Sequence, residues 1–316
     1  MVAVTVLMAV YDTSAAMLDQ AIASIRRQTL ADFEFLILDD GSGRADTRAC
    51  LLLHAAADPR IRLRWESHRG LTRTLNCGLA LASGKLIARQ DADDWSEPER
   101  LERQVEFLES HSEIALCGTG AWVHREDGSR LWRVRMPETA EEIAAALLKE
   151  NPFLHGSAMF RMDAGRDAGG YREEFPCSQD YDFFWRLTEA GGAANLAQPL
   201  YHYRYAGGAV SAGRAEEQAR AHQAAQMLAH ARRRGQPENV AQALADAARQ
   251  IAAGPGAFRA ALKQADHRML AGDYRGAGQA YRRLLAQNPR SALAWGKLFR
   301  WAVFASLPPA REACFR

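Results

Sequence analysis

Strand-like apolar runs that end in carboxylate-bearing turns constrain this chain more than any other feature. Val2–Val10 is continuously apolar and rich in β-branched residues, as a strand buried on both faces requires, and it runs into Tyr11-Asp12. Phe33–Leu38 ends in Asp39-Asp40-Gly41-Ser42, and Lys85–Arg89 runs into Asp91-Ala92-Asp93-Asp94. Another strand is predicted at Ile61–Trp65. Between these runs, Met17, Leu18, Ala21, Ile22 and Ile25 form a stripe at helical spacing, and helices are predicted at Thr47–His54 and Leu71–Ala82. Strand–helix–strand units of this length imply right-handed crossovers, hence an α/β fold with a mostly parallel sheet flanked by helices. Ser96 and Glu99 have the spacing of a capping box, with Pro98 in the first turn, opening a helix that carries Leu101, Val105 and Leu108.

The pattern then changes. Asp127-Gly128 predicts a turn between short strands near Ala121–Val123 and Leu131–Val134, and helices are predicted at Thr139–Lys149 and Asp180–Glu189. From about Ala215 helix follows helix, broken at Gly235-Gln236-Pro237, Gly254-Pro255-Gly256, Gly272-Asp273 and Asn288-Pro289. Residues 271–289 contain part of one tetratricopeptide-like unit. Stable arrays need about three, so a short helical bundle is predicted. Residues 213–316 hold 17 Lys/Arg against 7 Asp/Glu, a net +10, whereas the whole chain carries only +2. The expected organisation is a domain over 1–212 and a basic helical appendage over 213–316. Five scattered cysteines in no Cys-x-x-Cys pair argue against a disulfide framework, and no secretory signal or bilayer-length apolar stretch is visible. A cytoplasmic protein is expected, with no nucleic-acid partner.

In an open parallel sheet, ligands bind beyond the carboxyl ends of the strands. Three acidic strand ends should therefore converge on one edge: Tyr11-Asp12, Asp39-Asp40 and Asp91-x-Asp93. Such a cluster repels itself unless a cation sits within it. Carboxylates spaced one residue apart are hard oxygen ligands suited to Mg²⁺ or Mn²⁺, which in turn bind phosphate oxygens. No glycine-rich phosphate cradle is present, so metal must do most of the phosphate holding.

These stretches, in this order, resemble the family 2 glycosyltransferases of the A-type nucleotide-sugar fold. The resemblance runs through Val6–Asp12, Gln28-Thr29, Phe33–Ser42, Gly70-Leu71, Leu75-Asn76 and Ala88–Leu101. It continues through His155–Arg161, Gly169–Tyr171 and Gln179–Arg186, and covers about residues 1–212. It implies an inverting transfer from a nucleotide-diphosphate sugar, most often UDP-linked, to a saccharide or lipid-linked acceptor in surface polysaccharide synthesis. It also implies that Tyr11, Asp39 and Asp40 hold the nucleoside, and that Asp91 and Asp93 form the Asp-x-Asp pair at the ribose and the metal–diphosphate. Asp180 is the implied general base, while His155 and Asp94 are candidates for acceptor or phosphate contact. Ala9, Asp12, Leu75 and Gln179 depart from residues common in the family, and the last removes one charge beside the base. A nucleotidyltransferase shares the sheet and acidic metal site but usually opens with a basic glycine-rich loop, which Met8–Ser14 lacks. A non-catalytic interaction protein acting through its helical tail is the other alternative. The last predicted helix, Ser291–Leu307, is expected to expose Leu293, Trp295, Leu298, Phe299, Trp301 and Phe304 beside Lys297 and Arg300. That face would suit either a homodimer or the edge of an anionic membrane.

Overall fold

The computed structural model describes residues 2–205, 215–253 and 273–305, together with Phe258, Ala261, Leu262, Ala265, Asp266, Arg268 and Met269. Its contacts divide the chain into two compact units: residues 1–122 with 133–203, and residues 123–132 with 204–316.

The first unit begins with alternating strands and helices: β1 (Val4–Val10), α1 (Ala15–Arg26), β2 (Phe33–Asp39), α2 (Ala45–Ala57), β3 (Ile61–Trp65), α3 (Leu71–Leu81) and β4 (Leu86–Arg89). They are followed by β5 (Trp95–Ser96), α4 (Arg100–Ser110), β6 (Leu116–Arg125), β7 (Arg130–Val134) and α5 (Ala140–Leu147). A single 3₁₀ turn at His155–Ser157 then leads into β8 (Met159–Arg161), α6 (Met162–Asp167), α7 (Gln179–Gly191) and β9 (Ala193–Tyr205). Among the described residues the strands form one sheet in the order β3-β2-β1-β4-β8-β6-β9-β5, with β7 on β6. The pairs β1–β2, β2–β3 and β1–β4 are parallel. Beyond β4 the pairs β4–β8, β6–β8 and β5–β9 are antiparallel. The expected α/β class therefore holds, with a parallel half that becomes mixed.

Chain order reverses at β1, which has β2 on one side and β4 on the other, so a crevice opens at their carboxyl ends. On one face of the sheet Val4, Val6, Met8 and Val10 pack with Leu18, Ile22 and Ile25 of α1 and with Leu101 and Val105 of α4. On the other face, α3 lies close enough that a Cβ at Gly78 would sit 2.2 Å from Leu7 Cδ1 and 3.2 Å from Leu38 Cδ1. A glycine is needed there for the helix to rest on the strands.

Two local expectations are corrected. Ser96 does not cap a helix. It pairs in β5 with Tyr201 of β9, and its hydroxyl donates to Gln90 Oε1 at 2.7 Å while accepting from Arg100 Nη1 at 2.9 Å. The helix starts later, at Arg100, with Glu99 as an N-cap that makes no side-chain capping bond. A capping box forms instead at α5, where Thr139 accepts from the Glu142 backbone and the Glu142 side chain accepts from that of Thr139. The hairpin strand β6 is also longer than its predicted core, because it runs on into the buried sheet at Leu116 and Cys117.

In the second unit α8 (Ala215–Arg233) packs on α9 (Val240–Ala253), and α10 (Tyr274–Gln287) on α11 (Ala292–Ala305). Ala277, Tyr281, Leu284 and Ala294 form a core with Leu262, Ala265 and Met269. Leu298 and Trp301, expected at the surface, pack against this core, and Trp301 Nε1 donates to the Tyr274 carbonyl at 2.5 Å. Leu293, Trp295 and Phe299 are exposed, as expected. The side chains of Phe304 and Arg300, the helix end beyond Ala305 and the break at 254–256 lie outside the described residues. No helix among the described residues is long and apolar enough to cross a membrane.

Candidate active site

The turn after β1 and the turn after β2 are built on each other. Asp12 adopts the left-handed conformation (φ 47°), and its Oδ1 accepts from the backbone N–H groups of Gly43 and Arg44 at 2.8 and 3.0 Å. Asp39 is buried, and its Oδ2 accepts from Ser42 N at 3.0 Å. Its Oδ1 has no hydrogen-bond partner among the described residues. Asp40 organises the next loop: Oδ1 accepts from Arg69 N and the Thr74 hydroxyl, and Oδ2 from Gly70 N. His68 Nδ1 stands 3.0 Å from the same Oδ2, and its ring stacks on the half-exposed Tyr11 with centroids 4.1 Å apart. Tyr11, Asp39 and Asp40 are thus brought to one corner. His68 joins them there, and no sequence signal pointed to it.

The Asp-x-Asp loop follows β4. Asp91 Oδ1 accepts from Arg89 Nη2 at 2.5 Å, and its backbone N–H points to Tyr201 Oη at 3.3 Å. Asp94 is buried and accepts from the Tyr201 hydroxyl at 2.9 Å, so it belongs to the wall and not to the open surface. Beneath the loop lies a buried polar network. Arg100 donates to Gln90 Oε1, Ser96 Oγ, Gln104 Oε1 and the Arg89 carbonyl. Burial draws its guanidinium down to about 10. Gln104 passes the network on to the carbonyls of Cys117 and Ser157.

His155 opens the 3₁₀ turn and does not sit in a strand. Its Nε2 lies 3.2 Å from Arg89 Nε and 3.0 Å from Tyr171 Oη. Burial, then the neighbouring Arg89 charge, pull the imidazole down to about 3, so it is neutral at physiological pH. At Gly156, a Cβ would fall 1.8 Å from Tyr201 Oη and 2.7 Å from Asp91 Oδ2, so only glycine lets this turn approach the loop.

Asp180 lies in the first turn of α7, after Ser178 in the left-handed conformation (φ 54°). Its Oδ2 accepts from Asn151 Nδ2 at 2.8 Å. It is closely surrounded yet keeps a solvent-facing edge. Burial raises its pKa above the ordinary carboxylate value, and the charge of Asp91 adds to the rise. The His155 ring, bonded to Arg89, stands edge-on to Phe184 of α7 at 5.8 Å, which brings this helix against the Asp91 loop. Tyr203 is pushed up by burial and then by Asp94, Asp93 and Asp91. Asp91, Asp93, Asp94 and Asp180 thus gather over two buried arginines, Arg89 and Arg100, an excess of carboxylate of the kind that a divalent cation balances. Arg89, Arg100, Tyr171 and Tyr201 are the members that sequence reasoning missed. A strand arginine running directly into an Asp-x-Asp loop was the available signal. A second grouping, Asp19, Cys50 and His54 between α1 and α2, has ligand atoms within 4.8 Å of one another. Here His54 already bonds Asp19 at 2.9 Å and Arg26 at 3.1 Å, and the Cys50 thiol points to the Ala15 carbonyl, so the group ties two helices together.

The chain matches the family model described as glycosyl transferase family 2 over residues 5–167. It is 36% identical over 205 residues to EpsE of Bacillus subtilis, a match covering 64% of this chain and 72% of that protein. It is 31% identical over 188 residues to the amylovoran biosynthesis glycosyltransferase AmsE of Erwinia amylovora, covering 59% and 70% respectively. Among solved structures, the mannosyltransferase PcManGT of Pyrobaculum calidifontis, in complex with GDP-Man and Mn²⁺, aligns at TM-score 0.56. That alignment has 18% identity and spans 97% of this chain and 81% of that one, a likeness of fold.

Proposed function

The chain belongs to glycosyl transferase family 2, and from that premise we propose an inverting, metal-dependent transfer from a nucleotide-diphosphate sugar to an acceptor hydroxyl. That the chain is a glycosyltransferase follows from the family; donor, stereochemistry and acceptor are our reading. The observation that carries it is the meeting of the Asp91 loop with the start of α7: Arg89 bonds both Asp91 and His155, the His155 ring stands edge-on to Phe184 of α7, and the Asp91 charge acts on Asp180. A divalent cation, Mn²⁺ or Mg²⁺, when bound by Asp91 and Asp93, would supply positive charge against the departing diphosphate. Tyr11 and His68 offer a stacked aromatic surface for the base, and the unpartnered Asp39 Oδ1 has capacity to accept a donor from it. Asp180 takes the acceptor proton as the hydroxyl oxygen attacks the anomeric carbon. Its raised pKa makes it a better proton acceptor than an ordinary carboxylate. One base opposite the leaving group gives direct displacement, hence inversion. We assign the transferase to residues 1–212 and treat 213–316 as a helical appendage. We take the donor to be UDP-linked, and a saccharide or lipid-linked saccharide of a surface polysaccharide as the acceptor class, in line with the naming of AmsE.

A thermal-shift panel of UDP- and GDP-linked sugars, with and without Mn²⁺, tests this reading. A ligand at about 100 times its Kd stabilises the fold by about 2.7 kcal/mol. The melting midpoint should rise only when a nucleotide-sugar and Mn²⁺ are both present, and Asp93→Ala should abolish that rise without changing the midpoint of the free protein. An equal rise in the variant removes the metal assignment.

A further inference from the structure

The Arg89 side chain is wholly buried, a rare place for a guanidinium. Four contacts fix it there. Nη1 donates to the Leu7 carbonyl of β1 at 2.7 Å and to the Gln90 carbonyl at 2.9 Å, Nη2 to Asp91 Oδ1 at 2.5 Å, and Nε to His155 Nε2 at 3.2 Å. The fork is thus anchored to the backbone of the central parallel strands and reaches upward to two groups of the candidate site. We propose that Arg89 is a positioning residue that sets which oxygen of Asp91 faces the donor diphosphate and holds His155 in the tautomer protonated on Nδ1.

The argument is geometric. Asp91 stands on a loop beyond β4, where a free carboxylate would rotate. With Oδ1 committed to Arg89, Oδ2 is turned toward the Gly156 turn, where a Cβ at residue 156 would lie 2.7 Å from it. The same guanidinium donates to His155 Nε2, so that nitrogen is an acceptor and the ring proton must sit on Nδ1. Tyr171 Oη shares the Nε2 side at 3.0 Å, and Tyr171 lies near Asp180, whose charge contributes to its raised pKa. A buried charge is costly to desolvate, and is held here only by the hydrogen bonds that satisfy it. Its retention in a two-armed geometry suits orientation of the site. Lysine cannot substitute, because a point charge lacks the planar fork that reaches Asp91 and His155 together.

This inference rests on the donor reading above, and calorimetric titration of UDP, and separately GDP, into the full chain separates the two. Wild type should gain affinity for one of them on addition of Mn²⁺. In Arg89→Lys that Mn²⁺-dependent gain should fall about ten-fold or more, while affinity in EDTA changes by less than about two-fold. In Arg89→Ala, methylguanidinium should restore part of the gain, and urea, similar in shape but uncharged, should not. His155→Leu strips Arg89 Nε of its acceptor and should lower the same gain; His155→Gln returns an acceptor and should recover it. An undiminished gain in Arg89→Lys, or equal gains in the two His155 variants should the Arg89 variants not fold, overturns the positioning role. Absence of any Mn²⁺-dependent gain in wild type removes the donor reading, and this inference with it.

Discussion

Asp180 illustrates how a residue's surroundings set its chemistry. It sits in the first turn of a helix, where backbone N–H groups favour the ionised form, yet burial and Asp91 outweigh them and raise its pKa. Asn151, in the loop after α5, holds Oδ2, so the carboxylate is fixed from outside its own helix. Asp180→Asn keeps the shape and the Asn151 neighbour but removes the proton acceptor. Turnover should fall by about 10² to 10⁴-fold, with affinity for the nucleoside diphosphate and Mn²⁺ nearly unchanged. Weakened nucleotide binding with near-normal turnover would instead make Asp180 a positioning group. The acidic candidates at 39–40 and 91–94 were legible in the sequence because each follows a predicted strand, whereas Asp180, at the start of a predicted helix, was singled out only through the family resemblance. Arg89 was missed although it runs straight into the Asp-x-Asp loop, and Tyr201 left no signal, because a strand tyrosine looks alike whether it faces water or a buried loop.

At the scale of elements, β2 carries a charge inside the sheet. Glu34 accepts from Thr5 Oγ1 of β1 at 2.5 Å, from Ser83 N before β4 at 2.6 Å, and from Arg62 of β3 at 2.5 Å. Burial works against its ionisation, but the hydrogen bonds from Thr5, Ser83 and Arg62 together prevail and hold it at about 2. Because the folded value lies below the unfolded one of about 4.3, the stability it contributes is full above that value and is lost as pH falls toward 2. Glu34→Gln should therefore cost about 1–2 kcal/mol at pH 7, and the gap from wild type should close by about pH 2. Urea denaturation at both pH values checks this; a gap that does not depend on pH would show that packing, not charge, is lost. Elements also show why one motif can have two fates. Ser96-x-x-Glu99 and Thr139-x-x-Glu142 have the same spacing, but Ser96 is drawn into a strand pair and the Gln90–Arg100 network, leaving only Thr139 free to cap.

At the scale of the whole molecule, the charge is divided, with a net +10 on residues 213–316. On α11, Leu298 and Trp301 turn into the core while Leu293, Trp295 and Phe299 remain outside. We propose that this aromatic surface on a basic helical unit meets an anionic membrane edge, with a homodimer as the alternative. The full chain should float with anionic vesicles at low salt, stay in solution with neutral ones, and lose flotation when Trp295 and Phe299 are both changed to Ser. Failure to float with either lipid, with a shift from dimer to monomer in the double variant, would assign the face to a second copy of the chain.

Periodicity, turn residues and acidic strand ends are local properties, and local properties determined the strand–helix alternation, the helical rear, and the set of carboxylates brought to one edge. Alternation cannot fix sheet order or direction beyond β4, because a buried strand has the same apolar pattern whether its neighbour is parallel or antiparallel. Tertiary structure alone decided that β8 would pair antiparallel with both β4 and β6, and β9 with β5. It thereby set the His155–Ser157 turn and Tyr201 against the Asp91 loop, and left Arg89, buried beneath it, to hold Asp91 and His155 together.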